Sequence, residues 1–481
     1  MTDPAELFMR DTDAFSWYLE HDPALRATII AIAWLEGRPD FDVVAARLER
    51  ATRLVPRFRQ RPNEAPGRMA TPRWVDTDFD LSLHLRRMES PTPHTPATVI
   101  EFARVEAMSG FDLSRPLWQF TLIEGLEGDR AALIMKVHHS LTDGIGGAHL
   151  AFLLFETTDG LDPGEQVPEP ETHGGPPGTV ERVRQSLGYD SHRVFETIRH
   201  GAAEAVPLAK RISLHPLRST SEAVATASSV ARFVQPVSDT LSPVMTGRSL
   251  DRYLNMFAVD LREMKRAADV VGGTLNDGFV ASVTGGLRRY HHRHGAGVDE
   301  LRVTLPISLR KEGDPDASNR ITLARFKVPV GVADPGERVR LTGVRCRAAR
   351  DERALPLSDT LAGALNLLPS GVVGSMLKHI DFLASNVPGV PVPVFLAGAP
   401  VSGYYAFGPT TGSSVNVTLF SYCGTCCVGF TVDTAAVPDC SVLMECFREG
   451  FEEVLDLAGP HSPVSEPLAV GSEEGPRTGG P

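Results

Sequence analysis

Two adjacent histidines, His138 and His139, stand five and four residues ahead of Asp143 in the stretch KVHHSLTDGIGG (136–147). A neutral imidazole titrates near pH 6.5, so a histidine at this point could take a proton from a hydroxyl or thiol. It could also ligate a metal, or simply end a strand. Adjacent histidines point in different directions, and a metal would need a third ligand. Gly144, Gly146 and Gly147 permit tight backbone and close approach of a neighbour or ligand. A second pair in YHHRHG (290–295) has no Asp-Gly after it and reads as a solvated helix terminus.

The elements that must position the pair are legible around it. AALIMKV before the histidines is an apolar strand, and Thr142 or Asp143 can cap a following helix. His139 is thus expected at a strand end facing a cleft. The segment 116–139 reads as a hairpin turning at Glu127-Gly128-Asp129. Residues 27–37 read as a buried strand, 41–58 as an amphipathic helix, and GAHLAFLLFETT (147–158) as helical again.

Further along, 159–179 is crowded with proline, glycine and acid, and 180–245 carries helical patterns. Together they read as a linker and helical crossover between an N-terminal domain, 1–158, and a C-terminal domain, 246–458. The latter shows a strand (DRYLNMFAVDL), two helices (261–272 and 275–295) and three strands (RITLARFKVPV, SVNVTLFSY, CVGFTVD). Residues 459–481 are poor in bulky apolar side chains and read as a disordered tail.

At 481 residues the chain exceeds one ordinary core, so two domains are expected. Hydrophobic content of 42% and charged content of 22% are those of a soluble globular protein. The acidic start MTDPAELFMRDTDAF lacks the basic and apolar regions of a signal peptide. No apolar run reaches the roughly 20 residues of a membrane span. A cytoplasmic protein follows, with peripheral membrane contact open. A net charge of −12 argues against nucleic acid as a partner. Six cysteines do not make a disulfide framework. Cys423-Gly-Thr-Cys426 reads as a tight turn between strands, because Cys440 and Cys446 are poorly spaced for a second ligand pair. No metal is expected.

The motif His138-His139-x-x-x-Asp143-Gly144 resembles the HHxxxDG signature of CoA- and carrier-protein-dependent acyltransferases. More of the chain is similar to one branch, the bacterial wax ester synthase/acyl-CoA:diacylglycerol acyltransferases. FDLSRPLWQFTLIEGLEGDRAALIMKVHHSLTDG resembles their block from Pro-Leu-Trp (Pro116, Leu117, Trp118) to the active-site histidine. GGTLNDGFVASVTGGLRRY resembles their Asn-Asp motif (Asn276, Asp277). VTLPISLRKEGDPDASNRI resembles their Pro-x-Ser-x-Arg block, and ASNVPGV their SNVPGP block. The similarity runs over roughly 10–457 in family order. Ser318-Asn319-Arg320 and Val390 depart from the family pattern, which leaves the substrate range open.

The resemblance implies an α/β (α+β) fold of two chloramphenicol-acetyltransferase-like domains. Their mixed sheets would be flanked by helices, joined by a long crossover, with an active-site tunnel at the interface. It implies an O-acyltransferase that moves a long-chain acyl group from acyl-CoA to diacylglycerol, a fatty alcohol or both. His139 would be the general base, His138 a support, and no acyl-enzyme would form. Asp143 would pair with Arg310 more readily than orient His139. Asn276 would donate to the oxyanion or cap a helix, with Asp277 and Gly144 supporting the site. Pro116-Leu117-Trp118 would pack the core, and Ser385–Gly389 would form a loop positioning strands. No cofactor is implied beyond acyl-CoA as substrate. The apolar segment 358–384, with Leu361, Leu365, Leu368, Val372, Val373 and Leu377, is weighed as a face for a membrane or lipid droplet against core packing. A monomer or weak dimer is expected. The alternatives are a condensation-type enzyme using a carrier-bound thioester or a specialised hydroxyl or amine acceptor, and a non-catalytic module of the same fold.

Overall fold

The computed structural model describes residues 7–64, 71–141, 153–159, 161, 167–169, 239–308, 321–352, 366, 374 and 377–468. Two six-stranded sheets organise the chain. The first half supplies α1 (Asp11–Leu19), β1 (Thr28–Leu35), α2 (Phe41–Leu54), β2 (Gln60–Asn63), β3 (Arg73–Asp76), β4 (Leu85–Glu89), α3 (Pro96–Met108), β5 (Trp118–Leu126) and β6 (Arg130–His138). The second half opens with β7 (Arg252–Asp260), α4 (Leu261–Val270), α5 (Leu275–Arg293), β8 (Glu300–Ser308), β9 (Ile321–Pro329) and α6 (Pro335–Arg350). It closes with β10 (Phe382–Val387), β11 (Phe395–Leu396), β12 (Ala399–Phe407), β13 (Val415–Tyr422), β14 (Thr425–Asp433) and α7 (Cys440–Leu455).

The first sheet has the order β11-β12-β1-β6-β5-β4, and the second β7-β14-β13-β10-β8-β9. Both are mixed: β4–β5, β10–β13 and β10–β8 run parallel, and the other pairs antiparallel. Alternation decides what each face meets. Ala31, Ala33, Leu133 and Met135 pack toward α2, whereas Ile30, Ile32, Ala132 and Ile134 pack toward α3, Leu254 and Met256. The helix α2 forms because Asp40 caps it, accepting from Asp42 N and Val43 N, while Val44, Leu48 and Ala51 repeat on one buried face. Helices α4, α5 and α7 bury their apolar faces in one core with β13 and β14.

Several expectations need correction. The N-terminal domain does not stop at 158, because β11 and β12 join the first sheet through β1. The stitch is tight: a Cβ on Gly429 of β14 would lie 2.3 Å from the Ala406 carbonyl oxygen of β12. The tail is ordered over its first ten residues. There β7 is an edge strand whose free backbone groups need partners. Ser465 N donates to Ala258 O at 3.1 Å, Ala258 N donates to Ser465 Oγ at 2.7 Å, and Val464 is buried.

The pair in YHHRHG is not uniformly solvated. His291 is fully buried, with Nδ1 2.7 Å from Leu287 O and Nε2 2.7 Å from Ser242 Oγ. A carbonyl only accepts, so Nδ1 carries the proton and Nε2 accepts from the serine. Ser385–Val387 are strand residues of β10, not loop, since they pair with Thr418–Phe420. The chain then leaves β10 at Gly389, where a Cβ would sit 2.0 Å from Ser421 O. Most of 358–384 lies outside the described residues. Of its apolar face, Leu377 packs on Leu19 and Leu25, and Asn366 Nδ2 donates to Asp11 O. These contacts favour the core reading there, and 382–384 is strand.

Candidate active site

The β5–β6 hairpin turns at Gly128 (φ 77°) and Asp129 (φ 58°), as its Gly-Asp pair suits. Its return strand brings the histidine pair to the strand end. His138, the last residue of β6, lies opposite Thr28 of β1, and its N–H donates to Leu117 O at 2.9 Å. The Pro-Leu-Trp block therefore supports the pair from the neighbouring strand. Trp118 itself is core: it is 1% exposed, stacks on His84, and donates from Nε1 to Phe58 O at 2.8 Å.

The two histidines are held differently. His138 is fully buried, edge-on to Trp17 and Phe111. Ser140 N donates to its Nδ1 at 3.1 Å, and Ser140 Oγ lies 2.7 Å from the same atom. A backbone N–H only donates, so Nδ1 is an acceptor and the ring proton resides on Nε2. Nε2 faces Glu20 Oε2 at 3.4 Å. His139, one residue beyond the strand, is only partly buried, and its N–H donates to Ala27 O at 2.9 Å. Its backbone is thus fixed beside β1 while its side chain remains partly open. Ser140 serves local structure.

Two charged groups beneath the pair were not picked out from sequence. Glu20, just after α1, is almost fully buried beside Arg26 (3.5 Å) and Ala27 N (3.4 Å). Lys136 shares His138's face of β6. Its Nζ lies 3.1 Å from Glu106 Oε2 and 2.5 Å from Ser109 Oγ, and burial pushes its pKa down. Each left a trace in the sequence. Lys136 is the one charge in AALIMKV, and Glu20 closes the aromatic run AFSWYLE.

A cavity of about 320 Å³ opens between the two sheets, lined among others by Arg26, Thr28, Leu250, Asp251, Phe407 and Thr431. Arg26 and Thr28 flank Ala27, the residue that holds the His139 backbone. Thr28 and Thr431 are buried, and neither hydroxyl has a hydrogen-bond partner. Both belong to faces turned between the layers: Thr28 lies in step with Ile30, and Thr431 pairs with Leu254.

Asn276 is not the cap of α5. Thr274 is, in a reciprocal capping box with Asp277. Asn276 Nδ2 instead lies 3.8 Å from Cys346 Sγ of α6, in the helical layer of the second sheet. Among the described contacts nothing brings it to the end of β6. Asp143, Gly144 and Arg310 lie outside the described residues. Cys423 and Gly424 form the β13–β14 turn, with φ of 44° and 83°. Among the described residues no group of three or more His, Cys, Asp or Glu side chains could hold a metal.

Two mixed sheets, stitched by one strand and carrying a histidine pair at a strand end, define a two-layer acyltransferase fold. Comparison with known proteins makes this specific. Residues 9–279 match the wax ester synthase/diacylglycerol acyltransferase catalytic domain, and 317–454 match the C-terminal domain of the same family. The chain belongs to the wax ester synthase/diacylglycerol acyltransferase family and is an acyltransferase of that family. The family matches meet neither at 158 nor at 246, in keeping with the shared sheet.

A "putative diacyglycerol O-acyltransferase" of Mycobacterium tuberculosis strain H37Rv is 34% identical over 459 residues, 94% of this chain and 93% of the relative. A second of the same description and strain is 28% identical over 467 residues, 93% and 89% of the two chains. Among solved structures, the wax ester synthase/diacylglycerol acyltransferase from Marinobacter aquaeolei VT8 superimposes with a TM-score of 0.62 at 21% identity, over 94% of this chain and 100% of that one. The first condensation domain of the calcium-dependent antibiotic synthetase gives 0.58 at 16% identity, over 95% and 98%. These likenesses bear out the expected chloramphenicol-acetyltransferase-like architecture.

Proposed function

We propose that His139 is the general base of acyl transfer from acyl-CoA to a lipid hydroxyl. Its imidazole takes the proton as the acceptor oxygen attacks the thioester carbon. The tetrahedral intermediate then collapses, the C–S bond breaks, and the leaving thiolate recovers that proton. No acyl-enzyme and no cofactor take part. The observation that carries this reading is the division of labour within the pair. His138 is buried and held at Nδ1 by Ser140, whereas His139, one residue beyond the strand, is only partly buried and has its backbone pinned at the strand end.

The acceptor is diacylglycerol, a fatty alcohol or both, yielding triacylglycerol or wax ester; the named relatives favour diacylglycerol. Such acceptors are nearly insoluble, and no described helix is long and apolar enough to cross a membrane. We therefore place the enzyme, as a monomer or weak dimer, peripherally at a membrane or droplet face. Purified protein given palmitoyl-CoA with hexadecanol and with dioleoylglycerol in parallel tests the reading. Release of CoA with neither acceptor, or full activity of His139→Ala, overturns it. Liposome flotation tests the location: binding should survive high salt, because a chain of charge −12 gains nothing from anionic lipid.

A further inference from the structure

Among the described residues, Glu20 is the carboxylate set against both histidine anchors. Its side chain is 5% exposed, at the end of α1, with one donor, Ala27 N, hydrogen-bonded to it and two further N–H groups close by. Arg26 Nε lies 3.5 Å from Oε1, while Ala27 N and His138 Nε2 each lie 3.4 Å from Oε2. Because Nδ1 of His138 accepts from Ser140 N, the ring proton is on Nε2, which lies beside that carboxylate without a completed hydrogen bond. Ala27 is used on both sides: its N–H donates to Glu20, and its carbonyl accepts the N–H of His139. Glu20 therefore reaches His139 by two routes, one through the Ala27 residue and one through the His138 ring and the chain. Only the Ala27 contact is a hydrogen bond; Arg26 Nε and His138 Nε2 lie alongside unbonded, and catalytic supports are often long or poorly aligned before substrate binds.

We infer that Glu20 is a positioning residue that sets the place of His139 through Ala27 and His138. The inference rests on His139 being the general base. What it requires of residue 20 is reach and an acceptor oxygen, not charge. Arg26 does not depend on it, since its Nη1 donates to Met108 O at 2.8 Å.

The test compares two variants that each keep a polar side chain. Glu20→Gln retains length and one oxygen able to accept from both Ala27 N and His138 Nε2. Glu20→Asp retains charge but is one methylene short. With palmitoyl-CoA and saturating acceptor, Glu20→Gln should keep kcat within about three-fold of wild type. Glu20→Asp should lose at least about ten-fold in kcat, with KM for palmitoyl-CoA changed less than about two-fold, since misplacement near 1 Å costs up to 10²-fold. Melting curves establish that both variants are folded. An Asp variant as fast as Gln, a Gln variant as slow as Asp, or a loss confined to KM each overturns the inference. His139→Ala is run alongside: if it is active the general-base reading fails, whereas an inactive His139→Ala with unperturbed Glu20 variants sinks this inference alone.

Discussion

Truncating the two neighbouring histidines should produce opposite phenotypes. In His138→Ala the buried Ser140 N–H loses its acceptor, which costs about 1–3 kcal/mol. The edge contacts to Trp17 and Phe111 vanish as well, each worth about 0.5–1.5 kcal/mol. Together these amount to something on the order of 4 kcal/mol, or a melting point lower by on the order of 10 °C. Activity per folded molecule should fall far less than in His139→Ala, because His138 touches no reacting atom and Ala27 still anchors the His139 backbone. In His139→Ala the backbone bond to Ala27 O survives, so stability should change by about 1 kcal/mol or less. Catalysis, in contrast, loses the general base and falls by about 10²–10⁴-fold.

Circular dichroism melting and a thiol-release assay on palmitoyl-CoA, run on both variants, separate the two effects. Refutation is equally concrete. A His138→Ala protein that melts like wild type denies the structural role. A His139→Ala protein that is unfolded, or that is as active as His138→Ala, denies the division of labour.

Acid should destabilise the fold through its buried imidazoles. Burial holds the pKa values of His84 and His291 below the ordinary value, so the stability they contribute is present above pH ~6.5 and is lost as pH falls below it; a melting point that rises from pH 7 to 5.5 contradicts this. Thiol titration of the native protein should find one fast cysteine, Cys423, which is exposed, whereas burial pushes Cys426 and Cys346 up to about 12 and Cys427 and Cys446 to about 11. Prolonged EDTA should leave activity unchanged, and zinc-dependent recovery after such a loss would reinstate the metal reading. A chain ending at 458 uncovers the β7 edge and should aggregate faster on warming than full-length protein, measured by light scattering.

What could be read in the sequence was local. The β5–β6 hairpin carries its turn residues and alternation within 24 residues, and α2 carries its own cap and stripe, so both stood out. The role proposed for His139 came from a motif seven residues long. What could not be read depended on distant partners. Nothing in GYYAF says that β12 pairs with Ile30–Leu35 of the first sheet rather than staying with its sequence neighbours. His291 looked solvated because its burial depends on Ser242, 49 residues earlier. The tail looked disordered because its order comes from the edge of β7 and not from its own composition. Asn276 read equally as an oxyanion donor and as a cap, because Asn suits caps, yet Thr274, two residues before it, makes the capping box.

The stitch between the layers gives the sharpest test of how the second half bears on the site. Gly429 faces Ala406 so closely that an added Cβ would lie 2.3 Å from its carbonyl oxygen. A backbone oxygen cannot rotate away, so Gly429→Ala must shift β12 against β14. Overpacking of this kind costs about 1–3 kcal/mol. The shift does not stop at β12, because Ala406 pairs with Ala31 of β1 and Ala31 pairs with Met135 of β6. Met135 lies three residues before His138 on the strand that presents the histidine pair. Gly429→Ala should therefore lower kcat together with the melting point, although it lies outside the histidine cluster. Gly297→Ala, whose Cβ meets nothing within 4 Å, is the matched control and should change neither. If Gly429→Ala melts lower but turns over like wild type, the layers are joined at β12 without mechanical consequence for His139, and the stitch serves stability alone.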